Sequence, residues 1–249
     1  MQTKTPMSSA GEVAPTRQDR RTRVCYLCGL PLGGDIGSDH VPPRQFYAKK
    51  FRKNLNMSSL LTVKVHRRCN EDFGKDEEYF VRALVVHARR SLAGRAKYEE
   101  ILAEYRKGKN KPLMNQILRE FDSMPGGILL PRGSVLQKWD KGRVTRVAWK
   151  IVRGLLFHHR QIIMPEQYSV EWTITLPDRP PPTHFQKFRE VPRGSVTAPY
   201  PAAFDYRFDN FSCLSSASIH YWALLLWDQV LITSVFHDQA CRCTRCCGR

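Results

Sequence analysis

Apolar residues recur every three or four positions through the middle of the chain and every two positions towards its end. Phe73, Tyr79, Phe80, Leu84, Val85 and Ala88 form one stripe, which predicts a helix with Gly94 as its stop. Tyr98 to Tyr105 and Leu113 to Phe121 repeat the helical spacing before Pro125-Gly126-Gly127 breaks it. Residues 143–159 predict a strongly amphipathic helix, with Gly154 marking a close approach to a neighbour. Beyond it the period falls to two. Tyr168 to Leu176 alternates, Phe204 to Phe211 alternates more strictly, and Ile219 to Phe236 reads as two strands meeting near Asp228-Gln229. The proline-rich stretch from Pro177 to Pro201 reads as a loop.

The first 82 residues are patterned differently. Residues 1–22 are polar and proline-broken and read as a disordered lead-in. Pro31-Leu32-Gly33-Gly34-Asp35 is turn chemistry, and Leu60 to Val65 is a short β-prone run. Pro42-Pro43 blocks helix just after His40, so Asp39-His40 falls on an extended or turning segment. No internal repeat is visible. The expected class is α+β: a small module at 23–82, a helix-then-strand domain at 83–237, and a Cys/Arg-rich tail at 238–249.

Charge changes this picture. The formal net charge is +17, from 40 basic and 23 acidic residues. The excess is not confined to a tail, with 15 basic against 9 acidic residues up to Arg82 and 25 against 14 after it. A surface of this kind attracts polyanions, nucleic acid first; the plainer alternative is a soluble protein rich in lysine and arginine. No run approaches the ~18 apolar residues of a membrane helix. No apolar core follows Arg20-Arg21 where a signal peptide needs one, so a cytoplasmic protein without membrane contact is expected.

Of the 8 cysteines, three sit at knuckle spacing and four crowd the last nine residues. Cys25 and Cys28 form one pair and His66 and Cys69 another, each separated by two residues. Three thiolates and one imidazole complete a tetrahedral set that suits structural zinc. In a reducing compartment such spacing reads as metal before disulfide. Asp39-His40 lies between the knuckles, a base beside a carboxylate on a stapled loop. Taken alone, Asp39-His40 reads as a polar turn before two prolines, and Asn70 as a helix N-cap.

The run Cys25-Tyr-Leu-Cys28, Asp39-His40-Val-Pro-Pro, then His66-Arg-Arg-Cys69-Asn70 resembles the HNH endonuclease family in its zinc-knuckle, ββα-metal form. The resemblance covers Cys25 to Asn70. The remainder looks like the uncharacterised C-terminal part of bacterial proteins carrying such a module. The resemblance implies a metal-dependent DNA endonuclease or nickase acting on double-stranded DNA. It assigns His40 as general base, Asp39 and Asn70 as holders of a catalytic Mg²⁺ or Mn²⁺, and the knuckles as ligands of structural zinc. The family's middle asparagine falls at Ser59 here, with Asn54 and Asn56 a register away, and this departure weakens catalysis if it misplaces the loop. The alternatives are a zinc-dependent nucleic-acid-binding protein without cleavage, or a staple for a protein partner.

Arg44, Lys49, Lys50, Arg52 and Lys53 run together with Phe46, Tyr47 and Phe51 interleaved. They read either as a phosphate-contacting and base-stacking strip or as a solvated edge with inward aromatics. Arg67, Arg68 and Lys75 are further candidates for phosphate contact. His158-His159 matches the cations expected at a helix C-terminus. Cys241, Cys243, Cys246 and Cys247 lack standard zinc spacing and read as a loose, redox-sensitive tail.

Overall fold

A computed structural model describes residues 24–54, 60–132, 134–164, 168–181, 202–212 and 218–238. The architecture is α+β. Strands β1 (Ile36–His40) and β2 (Thr62–His66) form an antiparallel ribbon that frames a short helix, α1 (Lys49–Asn54). The chain passes from β2 directly into α2 (Arg67–Glu71) and then α3 (Gly74–Val85). Helices α4 (Leu92–Arg106) and α5 (Lys111–Arg119) follow, then the two-residue strands β3 (Phe121–Asp122) and β4 (Leu136–Gln137). The long helix α6 (Lys141–Arg160) leads to an antiparallel sheet of β5 (Tyr168–Thr175), β6 (Phe204–Ser212), β7 (Ser218–Leu226) and β8 (Val230–Asp238), ordered β5-β8-β7-β6.

Helix α6 is the centre of the molecule. Asp140 caps it by accepting a hydrogen bond from the Arg143 N–H at 3.1 Å, and Gln161 closes it in the left-handed region at φ 56°. Its Val144, Val147, Ile151 and Leu155 are buried at helical spacing, and α3 packs on it. Gly154 sits where the hairpin approaches. A Cβ there would lie 2.6 Å from a methyl of Val41 and 3.2 Å from the Tyr26 hydroxyl, so only glycine admits this packing.

The boundary expected after residue 82 falls inside α3, and both stretches contribute to one hydrophobic cluster. Phe46 is its junction: its ring stacks on Phe80 at 5.6 Å and meets Trp227 at 5.5 Å. Trp227 also donates its indole N–H to the Phe46 carbonyl at 2.9 Å. Trp227 and Asp228, at φ 50° and 54°, are the left-handed central residues of a tight turn closed by the Gln229 N–H on the Leu226 carbonyl at 3.0 Å, within the three-residue β7–β8 loop.

Gly94 is not a helix stop. The helix before it closes through a 3₁₀ turn at Val86–Ala88, and Gly94 lies in the first turn of α4. Ser91 caps α4 by accepting from the Gly94 N–H at 3.0 Å. A Cβ at Gly94 would stand 2.1 Å from the Ala88 carbonyl oxygen, so close backbone approach explains this glycine. The expected lead-in at 1–22, most of the Pro177–Pro201 loop, and the tail cysteines lie outside the described residues.

Candidate metal centre and the oxygen cluster beside it

The two knuckles meet at one end of the β1–β2 ribbon. The first is a tight turn in which the Gly29 N–H donates to the Cys25 carbonyl at 2.7 Å, with Gly29 at φ 77°. The second is the joint where β2 ends at His66 and α2 begins, one turn of which brings Cys69 back to His66. The ligand atoms of Cys25, Cys28, His66 and Cys69 all lie within 4.8 Å of one another. Zinc–sulfur bonds of about 2.3 Å at tetrahedral angles place sulfurs roughly 3.8 Å apart, so this spacing fits. The His66 Nδ1 is 3.3 Å from the Cys28 Sγ and 4.0 Å from the Cys69 Sγ. Its Nε2 lies 3.0 Å from the Pro31 carbonyl, which orients the ring and leaves Nδ1 for the ion. Burial and the neighbouring sulfurs push the Cys69 thiol up to about 11. Sulfurs this crowded ionise readily only around a cation, which is what a metal such as zinc supplies.

A second cluster lies further along the same ribbon, in the interior. Asp39 is only 3% exposed. Its Oδ2 accepts the Tyr26 hydroxyl, and its Oδ1 lies 2.9 Å from the Lys150 Nζ. The same ammonium donates to the Asn70 Oδ1 at 2.8 Å and to the Glu77 Oε1. Gln45 donates to the other Glu77 oxygen at 3.1 Å. Three N–H donors thus meet three oxygens contributed by β1, α2 and α3. The set suits a hard cation, and the cation in place is the side chain of Lys150, which is 1% exposed. Burial raises the Glu77 carboxyl from 4.5, against the pull of Lys150. Burial and the Asp39 carboxylate hold the Tyr26 phenol well above 10.0.

His40 follows Asp39 at the end of β1, opposite Thr62, and is half-buried. Burial lowers its imidazole from 6.5, reinforced by Arg44 and Lys150 and opposed by Asp39. It is therefore neutral near pH 7 and able to accept a proton.

The structure gathers Cys25, Cys28, His66 and Cys69 in one cluster and Asp39 and Asn70 in another, with His40 next to Asp39 on β1. Asn70 is not a helix cap: it lies inside α2, Phe73 holds the cap position of α3, and the Asn70 amide oxygen faces Lys150. Glu77 and Lys150 are the members that sequence reasoning missed. Both were hidden as ordinary charges in amphipathic helices, and Lys150 is 80 residues from Asn70. Its position on the apolar face of α6, beside Ile151 and Val147, was the available signal.

The basic strip divides. Phe46 and Tyr47 are core residues, 0% and 1% exposed, so they present no stacking surface. Lys49 pairs with Glu104 at 2.5 Å and Lys50 with Glu99 at 3.9 Å, which spends much of their charge on α4. Arg67 is exposed and paired to Asp35 at 2.7 Å. Arg44, Arg68 and Lys75 are exposed and form no ion pair among the described residues. Ser59, Asn56 and the side chains of Lys53 and Asn54 lie outside them. His159 sits 2.6 Å from the Tyr206 hydroxyl and among aromatic rings, a packing role at the end of α6. No described helix is long and apolar enough to cross a membrane.

No protein-family model matches the chain, and neither a curated protein nor a solved structure is significantly similar to it.

Proposed function

We propose that this chain is a metal-dependent endonuclease of HNH type, with a structural zinc in the knuckles and a catalytic Mg²⁺ or Mn²⁺ at Asp39 and Asn70. One observation carries this reading. The oxygens of Asp39 and Asn70, picked out by motif position alone, converge on a single cationic atom at 2.9 and 2.8 Å, next to a histidine kept neutral. Hard oxygen donors around one point are what Mg²⁺ requires, while the sulfur set selects zinc. A bound divalent ion supplies positive charge for the developing charge on a phosphodiester oxygen. His40 takes a proton from water, the resulting hydroxide adds to phosphorus, and the bond to the leaving deoxyribose oxygen breaks as that oxygen takes a proton from solvent. Arg44, Arg68 and Lys75 present charge to the phosphate backbone, and Arg67 reinforces them where its pair with Asp35 gives way.

A second reading is a zinc-stapled nucleic-acid-binding protein without cleavage. The burial of Lys150 favours it, because a fixed ammonium on the oxygens leaves no place for the ion. Incubation with supercoiled plasmid and Mg²⁺ or Mn²⁺ separates the two. Nicked or linear product that requires the added ion and is lost in His40→Ala, with zinc content unchanged, supports the nuclease. Intact plasmid held in a salt-sensitive complex supports the binder.

A further inference from the structure

We propose that Lys150 is an intramolecular competitor of the divalent ion: its ammonium occupies the position on which the oxygens of Asp39, Asn70 and Glu77 converge, so metal binding requires it to leave. This rests on the proposed Asp39–Asn70 cation site. It adds that α6, far along the chain from the knuckles, sets how readily that site loads, and that Glu77 is a third oxygen donor.

The ammonium has three N–H groups, and each has an oxygen partner. A divalent ion drawn to the same oxygens stands where Nζ now stands. The two positive charges exclude each other at contact distance, in a region shielded from water. The surroundings hold the oxygens in place whichever cation is present. Tyr26 donates to the second Asp39 oxygen, Gln45 donates to the second Glu77 oxygen, and Asn70 is fixed on α2. The lysine stem, by contrast, has four flexible bonds and lies beside the Phe73 ring, with Nζ 5.1 Å from its centroid. The competition also accounts for a lysine among the buried residues of α6.

The test is Mn²⁺ binding by the full zinc-loaded chain, read from the electron paramagnetic resonance of free Mn²⁺ and independent of any cleavage. Lys150→Met removes the ammonium and keeps a stem of similar length. The variant is expected to bind one Mn²⁺ roughly 10- to 100-fold more tightly than the parent, the range of a typical coupling between two ligands. Its melting temperature should rise on adding Mn²⁺ by more than the parent's does. If Lys150→Met alone does not fold, Lys150→Met with Glu77→Gln keeps the net charge of the cluster and retains the oxygens of Asp39 and Asn70, with an amide oxygen in place of the Glu77 carboxylate. In that background the same comparison is made against Glu77→Gln. Equal Mn²⁺ affinity with and without Lys150 overturns the competition while leaving the cation site standing. Absence of Mn²⁺ binding in every variant overturns the competition and the proposed site together. Tighter binding that disappears when Asp39→Asn is added supports both.

Discussion

The two clusters on the β1–β2 ribbon are alike in plan and opposite in condition. The sulfur cluster gathers its residues from a turn, the end of β2 and α2, and the oxygen cluster from β1, α2 and α3. At the sulfur cluster every side chain is a thiol or an imidazole, and burial together with the neighbouring sulfurs pushes the Cys69 thiol up to about 11. At the oxygen cluster the anionic charge of Asp39 and Glu77 is met by Lys150 from within the chain. The sulfur set could take a metal such as zinc from outside. The oxygen set is already self-satisfied, so an incoming ion has to compete. Ligand arrangement alone therefore does not say how strongly a site binds; the charge already in the cavity does.

The largest effect is expected at the sulfur cluster. Cys25→Ser or Cys69→Ser should abolish binding of about one zinc per chain and unfold the ribbon with α2. Binding of structural zinc is worth roughly 10–16 kcal/mol in small modules, and removing a ligand forfeits it. Elemental analysis with far-ultraviolet circular dichroism checks it. Retained zinc in both variants would remove the sulfur half of the comparison.

At the oxygen cluster, Lys150→Ala in buffer free of Mg²⁺ and Mn²⁺ should cost about 3–5 kcal/mol, because it strands two buried carboxyl groups without a counter-charge. Zinc content should not change. Denaturant unfolding measures the loss. A cost near zero would mean that the cluster is wetter than its burial indicates.

His40→Ala should lower cleavage by roughly 10²- to 10⁴-fold, the usual contribution of a general base, with unfolding and zinc content close to those of the parent. Gel quantification of plasmid nicking reads this directly. Gly154→Ala sharpens the comparison further. Its methyl would press on Val41, which directly follows His40, and on Tyr26, which donates to Asp39. Overpacking of this kind costs about 1–3 kcal/mol. The expected signature is a change in Mn²⁺ affinity with zinc retained, because Gly154 touches the oxygen side of the ribbon.

The smallest effect is a control away from both clusters. Burial lowers the His87 imidazole from 6.5, with Arg89 acting the same way and the hydrogen bond to Gln137 opposing. Between its folded value and 6.5 the unfolded chain binds more protons than the native one. Stability from this residue is therefore complete above pH 6.5 and declines as the pH falls through that window. His40 and His159 run in the same direction, whereas Glu77, raised from 4.5 by burial, runs against them. The difference between parent and His87→Gln isolates the residue. The variant should lose less stability than the parent between about pH 7.5 and about pH 6. Parallel stability curves would show that His87 does not titrate in that range.

Much of the architecture was legible from periodicity. The amphipathic stretch at 143–159 lies within α6, and the strands near Tyr168, Phe204 and Ile219 form one sheet with the turn at Asp228-Gln229. Local spacing also picked out the four residues whose sulfur and imidazole atoms lie within 4.8 Å, because each pair closes within one turn of the chain. Gly154 was read correctly as a point of close packing. Gly94 was read as a terminator when tertiary contact with Ala88 is what requires it. The aromatics at Phe46 and Tyr47 were equally open to stacking or burial, since alternation with lysine and arginine in a short loop does not reveal which side faces inward. Lys150 and Glu77 were not visible for a more basic reason. A charged residue in an amphipathic helix is ordinary until a partner many residues away gives it a role, and only the packing of α6 on α3 and β1 brings these together.

The most direct test of the account is diffraction from crystals grown with zinc and soaked in Mn²⁺, with anomalous data collected at the absorption edges of both metals. The account predicts a zinc peak bonded by Cys25, Cys28, Cys69 and the Nδ1 of His66. It predicts a separate manganese peak on the oxygens of Asp39 and Asn70, with the Lys150 ammonium displaced from its present place. A zinc peak alone, with Lys150 still bonded to all three oxygens at saturating Mn²⁺, would contradict it.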